Sequence, residues 1–258
     1  MKKQFFIPNE ITSNFDRADY PFPDSEVYAI AFKTDKAALE GFLPEGLSYI
    51  EGYEDTMLLR INRFESTEKK IRPYWESVIS IPASMEVNGE TIIGEYAAQL
   101  YLGSIDPEST VSPILSGQLL YGYPKREALF SVKGEFGKGD INVVKKRHGK
   151  TLCNVDFKAW TSEIPANLGT AIPQGPMLVC KAIPNVSGNG WDVLEINAPG
   201  VVEGSLKVKD MRPMEGKING DILLDSGRIL PVKEVIESYY MKFDWILTWG
   251  TTLHNYIK

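Results

Sequence analysis

The chain has 258 residues, 43% of them hydrophobic and 24% charged, the balance of a soluble protein long enough to bury its own core. Its formal net charge is −6 and no Lys or Arg run exceeds three residues, which argues against a nucleic-acid partner, since phosphate binding wants a basic stripe. No stretch approaches the roughly 18 consecutive apolar residues of a spanning helix, so no membrane partner is expected either.

The opening "MKKQFFIPNE" has the lysines of a signal peptide, but its apolar run stops at Pro8, too short for the hydrophobic region of a leader. "TDKAALEGFLPEG" predicts a short helix capped by Thr34 or Asp35 and ended before Pro44. In "SMEVNGETIIGEYAAQLYLG", Asn88-Gly89 lies between two apolar-rich runs and predicts a hairpin. Further turns are expected at Gly137-Lys138-Gly139 and at His148-Gly149, each between strand-like runs. "SGNGWD" at 187–192 reads as another turn, while "NVS" at Asn185 is a glycosylation acceptor only on a secretory route. "GSLKVKDM" alternates with period two, "SYYMKFDWIL" does so loosely, and the terminal "TTLHNYIK" suggests a last helix. This pattern predicts a mostly β (α+β) fold: a large antiparallel, closed or nearly closed barrel or cone with a few peripheral helices. No repeat or linker divides residues 1–258, which read as one domain. Cys153 and Cys180, two isolated cysteines, suggest reduced thiols and a cytoplasmic location.

Most familiar chemistries fall away on inspection. The two histidines, His148 and His254, sit in a turn and near the C-terminus, and the cysteines lack paired spacing, so no metal site is expected. There is no "GxSxG" elbow and no Walker-type loop. What stands out is "LLYGYPKREALF" at 119–130, where Lys125 and Arg126 sit side by side among apolar and aromatic residues. Taken alone, the pair fits the solvated tip of a turn opened by Pro124, where most lysines belong. Set among these neighbours, it also fits an amine held out of water beside a permanent positive charge. Desolvation and like-charge repulsion both disfavour ammonium, and a free amine attacks carbonyl carbon.

Several blocks in order carry a resemblance that covers most of the chain: "YWES" at 74–77, "VNGETIIGEYAAQLYL", "SGQLLYGYPKR", "CKAIPN" at 180–185, "LPVKEVIESYY" at 230–240 and the terminal "HNYIK". Together they resemble the acetoacetate decarboxylase family, whose Tyr-Pro-Lys-Lys motif matches "GYPKR". The resemblance implies that Lys125 forms an imine with substrate and that Arg126 replaces the usual second lysine, keeping positive charge on a larger guanidinium. It implies that Glu76 is the active-site glutamate and that Tyr123 and Leu100 line an apolar cavity. Three positions depart from the family: Ser25 stands where it has a carboxylate-holding arginine, Asn62 where it has a second glutamate, and Gln118 where it has an arginine. The expected activity is Schiff-base decarboxylation of a small-molecule β-keto acid such as acetoacetate by a homo-oligomer, without metal or cofactor because the iminium serves as electron sink. The alternatives are a Schiff-base aldolase or dehydratase on pyruvate-like keto acids, or a non-catalytic barrel that binds a hydrophobic ligand.

Overall fold

Asn88 and Gly89 both adopt positive φ (52° and 85°), as do His148 and Gly149 (47° and 76°). That pair of values is the tight turn whose twist matches antiparallel strands, and both expected hairpins form there. The computed structural model describes residues 19–65, 73–105, 113–161 and 167–257; the leader-like segment discussed above falls within residues 1–18, outside the described residues. Among the described residues, fifteen strands run in chain order: β1 Tyr20–Lys33, β2 Ser48–Tyr49, β3 Thr56–Phe64, β4 Tyr74–Val87, β5 Glu90–Ser104, β6 Lys125–Glu127, β7 Leu129–Lys133 and β8 Ile141–Arg147. They continue with β9 Lys150–Ala159, β10 Met177–Pro184, β11 Trp191–Val201, β12 Lys207–Ile218, β13 Ile222–Leu223, β14 Ile229–Leu230 and β15 Glu234–Asn255.

Seven strands close a ring in the order β1, β3, β4, β5, β10, β11, β15, with β15 returning to pair with β1. Pairing is antiparallel except where β10 and β6 lie parallel against successive stretches of β5. The expected mostly β, nearly closed sheet is therefore present. Leu247 of β15 pairs with Tyr20 of β1 on one edge and with Val201 of β11 on the other, which is what closes the ring. From β15 the sheet also continues outward through β12, β9, β8 and β7. The strand β12 changes partner at Pro213–Met214, from β15 to β9; a residue with no N–H to donate suits such a switch.

The main core lies between the ring and this outer sheet. Tyr28, Ile30 and Phe32 of β1, Leu59 and Ile61 of β3, and Ile79 and Ile81 of β4 pack with Val143, Val155 and Phe157. The opposite faces of β1, β3 and β4 turn into the ring. Strands covered on both sides do not need clean alternation, and "VYAIAF" and "MLLRI" read as continuous apolar runs for that reason.

Two helix expectations change. Residues Lys36–Leu39 form a single 3-10 turn, and Asp35 sits at its N-cap without capping it; its carboxylate lies 3.1 Å from Lys233 instead. The expected terminal helix is strand. Thr251, Thr252, His254 and Asn255 pair with Ala198, Asn197, Ile196 and Glu195 of β11, because that edge needs partners and β-branched threonines suit a ladder. Residues 187–190 turn between β10 and β11 as expected, and both cysteines are free thiols, Cys153 buried and Cys180 half-buried. Among the described residues, no helix is long and apolar enough to cross a membrane.

Candidate active site

Lys125 is the first residue of β6 and follows a helical segment, Pro113–Ser116, that widens into a π-turn at Gly117–Tyr121. Gly122, at φ 89°, ends that turn by donating its N–H to the carbonyls of Gly117 and Gln118. The side chain of Lys125 then passes directly over Gly117. A Cβ at position 117 would come within 2.5 Å of the lysine Cδ and 2.7 Å of its Cε. Only glycine leaves that path open.

The lysine enters a chamber of about 310 Å³ inside the ring. Lys125 is only 7% exposed, as is Glu76, whose Oε2 lies 3.7 Å from the lysine Nζ. Asn62 donates from Nδ2 to Glu76 Oε1 at 3.2 Å and thereby fixes the carboxylate plane. The ammonium position also lies 5.2 Å from the centre of the Tyr123 ring and 5.9 Å from that of Tyr74. Burial lowers the Lys125 pKa from its ordinary value, partly opposed by the Glu76 charge. Burial likewise raises the Glu76 carboxyl, opposed by Lys125 and Asn62. Both groups are thus pushed towards their neutral forms, because the desolvation cost outweighs a 3.7 Å attraction.

The eight sequence candidates divide in two. Lys125, Glu76, Asn62 and Tyr123 all line the chamber. Arg126 does not. Successive side chains of a strand point to opposite faces, so Arg126 turns outward, about half exposed, and pairs with Asp225 at 2.7 Å. Arg147 Nε approaches the same carboxylate at 3.1 Å. The expectation that its charge confronts the lysine amine is corrected on this geometry; enclosure alone accounts for the direction of the Lys125 shift. Gln118 holds the backbone rather than the cavity, donating its amide to the Lys125 carbonyl at 2.7 Å. Ser25 is fully buried, donating to the Phe22 carbonyl and accepting from Trp245 Nε1, each at 3.2 Å. Leu100 packs in the apolar layer with Val78, Tyr74 and Phe64 without lining the space.

Some lining residues escaped the sequence reading. Phe22, Phe64, Phe243 and Trp245 give one wall an aromatic surface, with Phe22 and Trp245 stacked at 4.9 Å. Arg60 and Glu95, which also line the chamber, form an ion pair at 2.5 Å. The signal for Arg60 was its spacing: Arg60, Asn62 and Phe64 alternate along β3 and share a face. Among the described residues, no group of His, Cys, Asp or Glu is arranged to hold a metal.

Residues 6–257 match the family model described as Acetoacetate decarboxylase (ADC). The chain belongs to the acetoacetate decarboxylase family. Acetoacetate decarboxylases are carboxy-lyases, and this chain is an enzyme of that lyase class. It is 26% identical to "Acetoacetate decarboxylase 3" of Mesorhizobium japonicum, covering 100% of this chain and 93% of that protein. It is 28% identical to "Acetoacetate decarboxylase 1" of Bradyrhizobium diazoefficiens, covering 94% and 90%. The crystal structure of acetoacetate decarboxylase from Legionella pneumophila shares the fold, with a TM-score of 0.76 at 18% identity over 99% of this chain and 100% of that one. The same fold occurs in the enduracididine biosynthesis enzyme MppR complexed with the condensation product of pyruvate and imidazole 4-carboxaldehyde, with a TM-score of 0.69 at 14% identity, covering 92% and 90%. This acetoacetate decarboxylase architecture therefore serves more than one reaction.

Proposed function

We propose that the enzyme decarboxylates a β-keto acid through an imine on Lys125. The observation that supports this reading is the enclosure of the Lys125 amine in a largely apolar chamber, 3.7 Å from a buried carboxylate. A neutral amine attacks the ketone carbon; water leaves and a protonated imine remains. The bond to the carboxylate carbon then breaks, its electron pair moves through the carbon framework to the imine nitrogen, and carbon dioxide departs. The enamine is protonated at carbon and the imine is hydrolysed to release a ketone. Glu76, held by Asn62 and shifted towards its protonated form, is suited to deliver that proton.

A direct test is borohydride reduction in the presence of acetoacetate and longer β-keto acids, followed by peptide mass analysis. The expected adduct is on Lys125 and is lost in Lys125→Ala. The chain supplies its own control: Lys145 is also buried, at 1% exposure, and burial holds its pKa at about 8. It faces away from the chamber and donates to Ser77 Oγ at 2.9 Å. An adduct on Lys145, or none on either lysine, overturns the reading.

A second reading, imine-dependent condensation or dehydration of pyruvate-like acids, is supported by the MppR likeness and by the serine at position 25. Carbon dioxide release from β-keto acids separates it from product formation with pyruvate plus an aldehyde.

A further inference from the structure

The chamber contains two ion pairs, and the decarboxylation chemistry uses only one. Lys125 and Arg60 are the only cations among its described lining residues, and each has its own glutamate, Glu76 and Glu95. The two cations start from one row of the sheet: Arg60 pairs with Val78, Val78 with Leu100, and Leu100 with Lys125. Three inter-strand steps of about 4.8 Å put their backbones about 14 Å apart along the wall. Their heads then take different partners. Lys125 turns towards Glu76 of β4, while Arg60 turns towards Ser80, four residues further along the same strand, or about 13 Å.

Hydrogen-bond capacity at the second pole is unequal. Glu95 is satisfied on both oxygens, by Arg60 Nη2 at 2.5 Å and by Ser80 Oγ at 2.8 Å. Arg60 has more donors than these contacts use: its Nη1 reaches Ser80 Oγ only at 3.5 Å, too long for a strong bond, and it also donates to the Tyr239 hydroxyl. A guanidinium carries five donors in a fixed fork, so beyond Glu95, Ser80 and Tyr239 this pole has N–H groups to spare for an acceptor. By register the lining between the poles is apolar, from Val27, Val78 and Met241, and at about 310 Å³ the chamber reaches the size of pockets that enclose drug-sized ligands, about 300–1,000 Å³.

We infer that the natural substrate is an elongated keto acid, its ketone at Lys125, an apolar body along Val27, Val78 and Met241, and an oxygen acceptor at its far end bound by Arg60. This deepens the Lys125 reading by naming the substrate class, and it rests on that reading for the position of the ketone. Glu95 and Ser80 act as positioning residues for the guanidinium.

The test compares three stable methyl ketones of one chain length: 2-heptanone, 6-oxoheptanamide and 6-oxoheptanoate. Calorimetric titration measures binding whether or not an imine forms, and borohydride trapping measures the imine separately. The expected result is binding about 10-fold or more tighter for at least one oxygen-bearing ketone than for 2-heptanone, as one charged hydrogen bond supplies. The better of the two gives the charge of the natural end group. In Arg60→Gln that advantage disappears while 2-heptanone binds as before. Equal binding of all three ketones, or equal weakening of all three in Arg60→Gln, overturns the inference. An Arg60-dependent preference without any adduct leaves it standing and removes the imine; an adduct without the preference does the reverse.

Discussion

At the scale of single residues, the state of Lys125 is decided by what surrounds its amine. Burial lowers its pKa and Glu76 opposes that shift. Replacing Glu76 with Gln removes the group that favours the charged lysine, so the free amine persists to lower pH. The acid limb of borohydride trapping against pH is expected to move down in Glu76→Gln, even where turnover is lost; an upward shift contradicts this account. Arg126→Ala is expected to leave the pH–rate profile unmoved and to cost at most about 1 kcal/mol in urea unfolding, as for other exposed ion pairs. Gly117→Ala forces the lysine stem sideways, since the three atoms nearest the added Cβ all belong to the Lys125 side chain. The expected outcome is a native unfolding midpoint with kcat down about 100-fold, the scale on which a displacement of about 1 Å acts on a reacting group. The sequence motif made Lys125, Tyr123, Glu76 and Asn62 legible. It could not say that Arg126 serves the outer face and Gln118 the backbone, because nearness to Lys125 in sequence does not fix which way a side chain points.

At the scale of elements, turn chemistry was readable and strand partnership was not. Asn88-Gly89 and His148-Gly149 specify their hairpins locally, through backbone conformations that glycine adopts without strain. A Cβ on Gly89 meets nothing within 4 Å, so Gly89→Ala isolates the backbone cost. The expected loss is about 1 kcal/mol, read as a lower urea midpoint with unchanged slope; no loss would mean that the turn relaxes to another type. The terminal residues show the opposite case. "TTLHN" carries a weak local preference, and the open edge of β11 made it strand. Arg60 and Glu95 were hidden for a related reason: each looks like an ordinary surface charge until β3, β4 and β5 are set side by side.

At the scale of the whole molecule, closing seven strands into a ring creates an interior where ionisable groups can be desolvated, and packing the outer sheet against it creates a second such place. Lys145 occupies the latter, over the ring of Tyr101 at 4.4 Å. Its pKa of about 8 lies below the ordinary 10.5 because burial penalises the charged form. Between those values the unfolded chain binds the proton and the folded chain does not, so stability rises with pH through that window. The span corresponds to about 3 kcal/mol at 1.36 kcal/mol per unit. Lys145→Met is expected to lose that rise, measured as urea unfolding free energy at pH 7.5 and pH 10.5 beside the parent. An identical rise in both proteins would show that Lys145 is not the titrating group.

By itself the sequence determined the fold class, the hairpins and the family, and it singled out the lysine of the proposed site, because these rest on local turn chemistry, on strand-forming residues and on short motifs read in order. The tertiary structure alone decided which side chains share the chamber, that Arg126 faces out, and that a second charged pole stands beyond the first. Those depend on strand register and ring closure, which bring together residues far apart in the chain and send neighbours to opposite faces of a sheet.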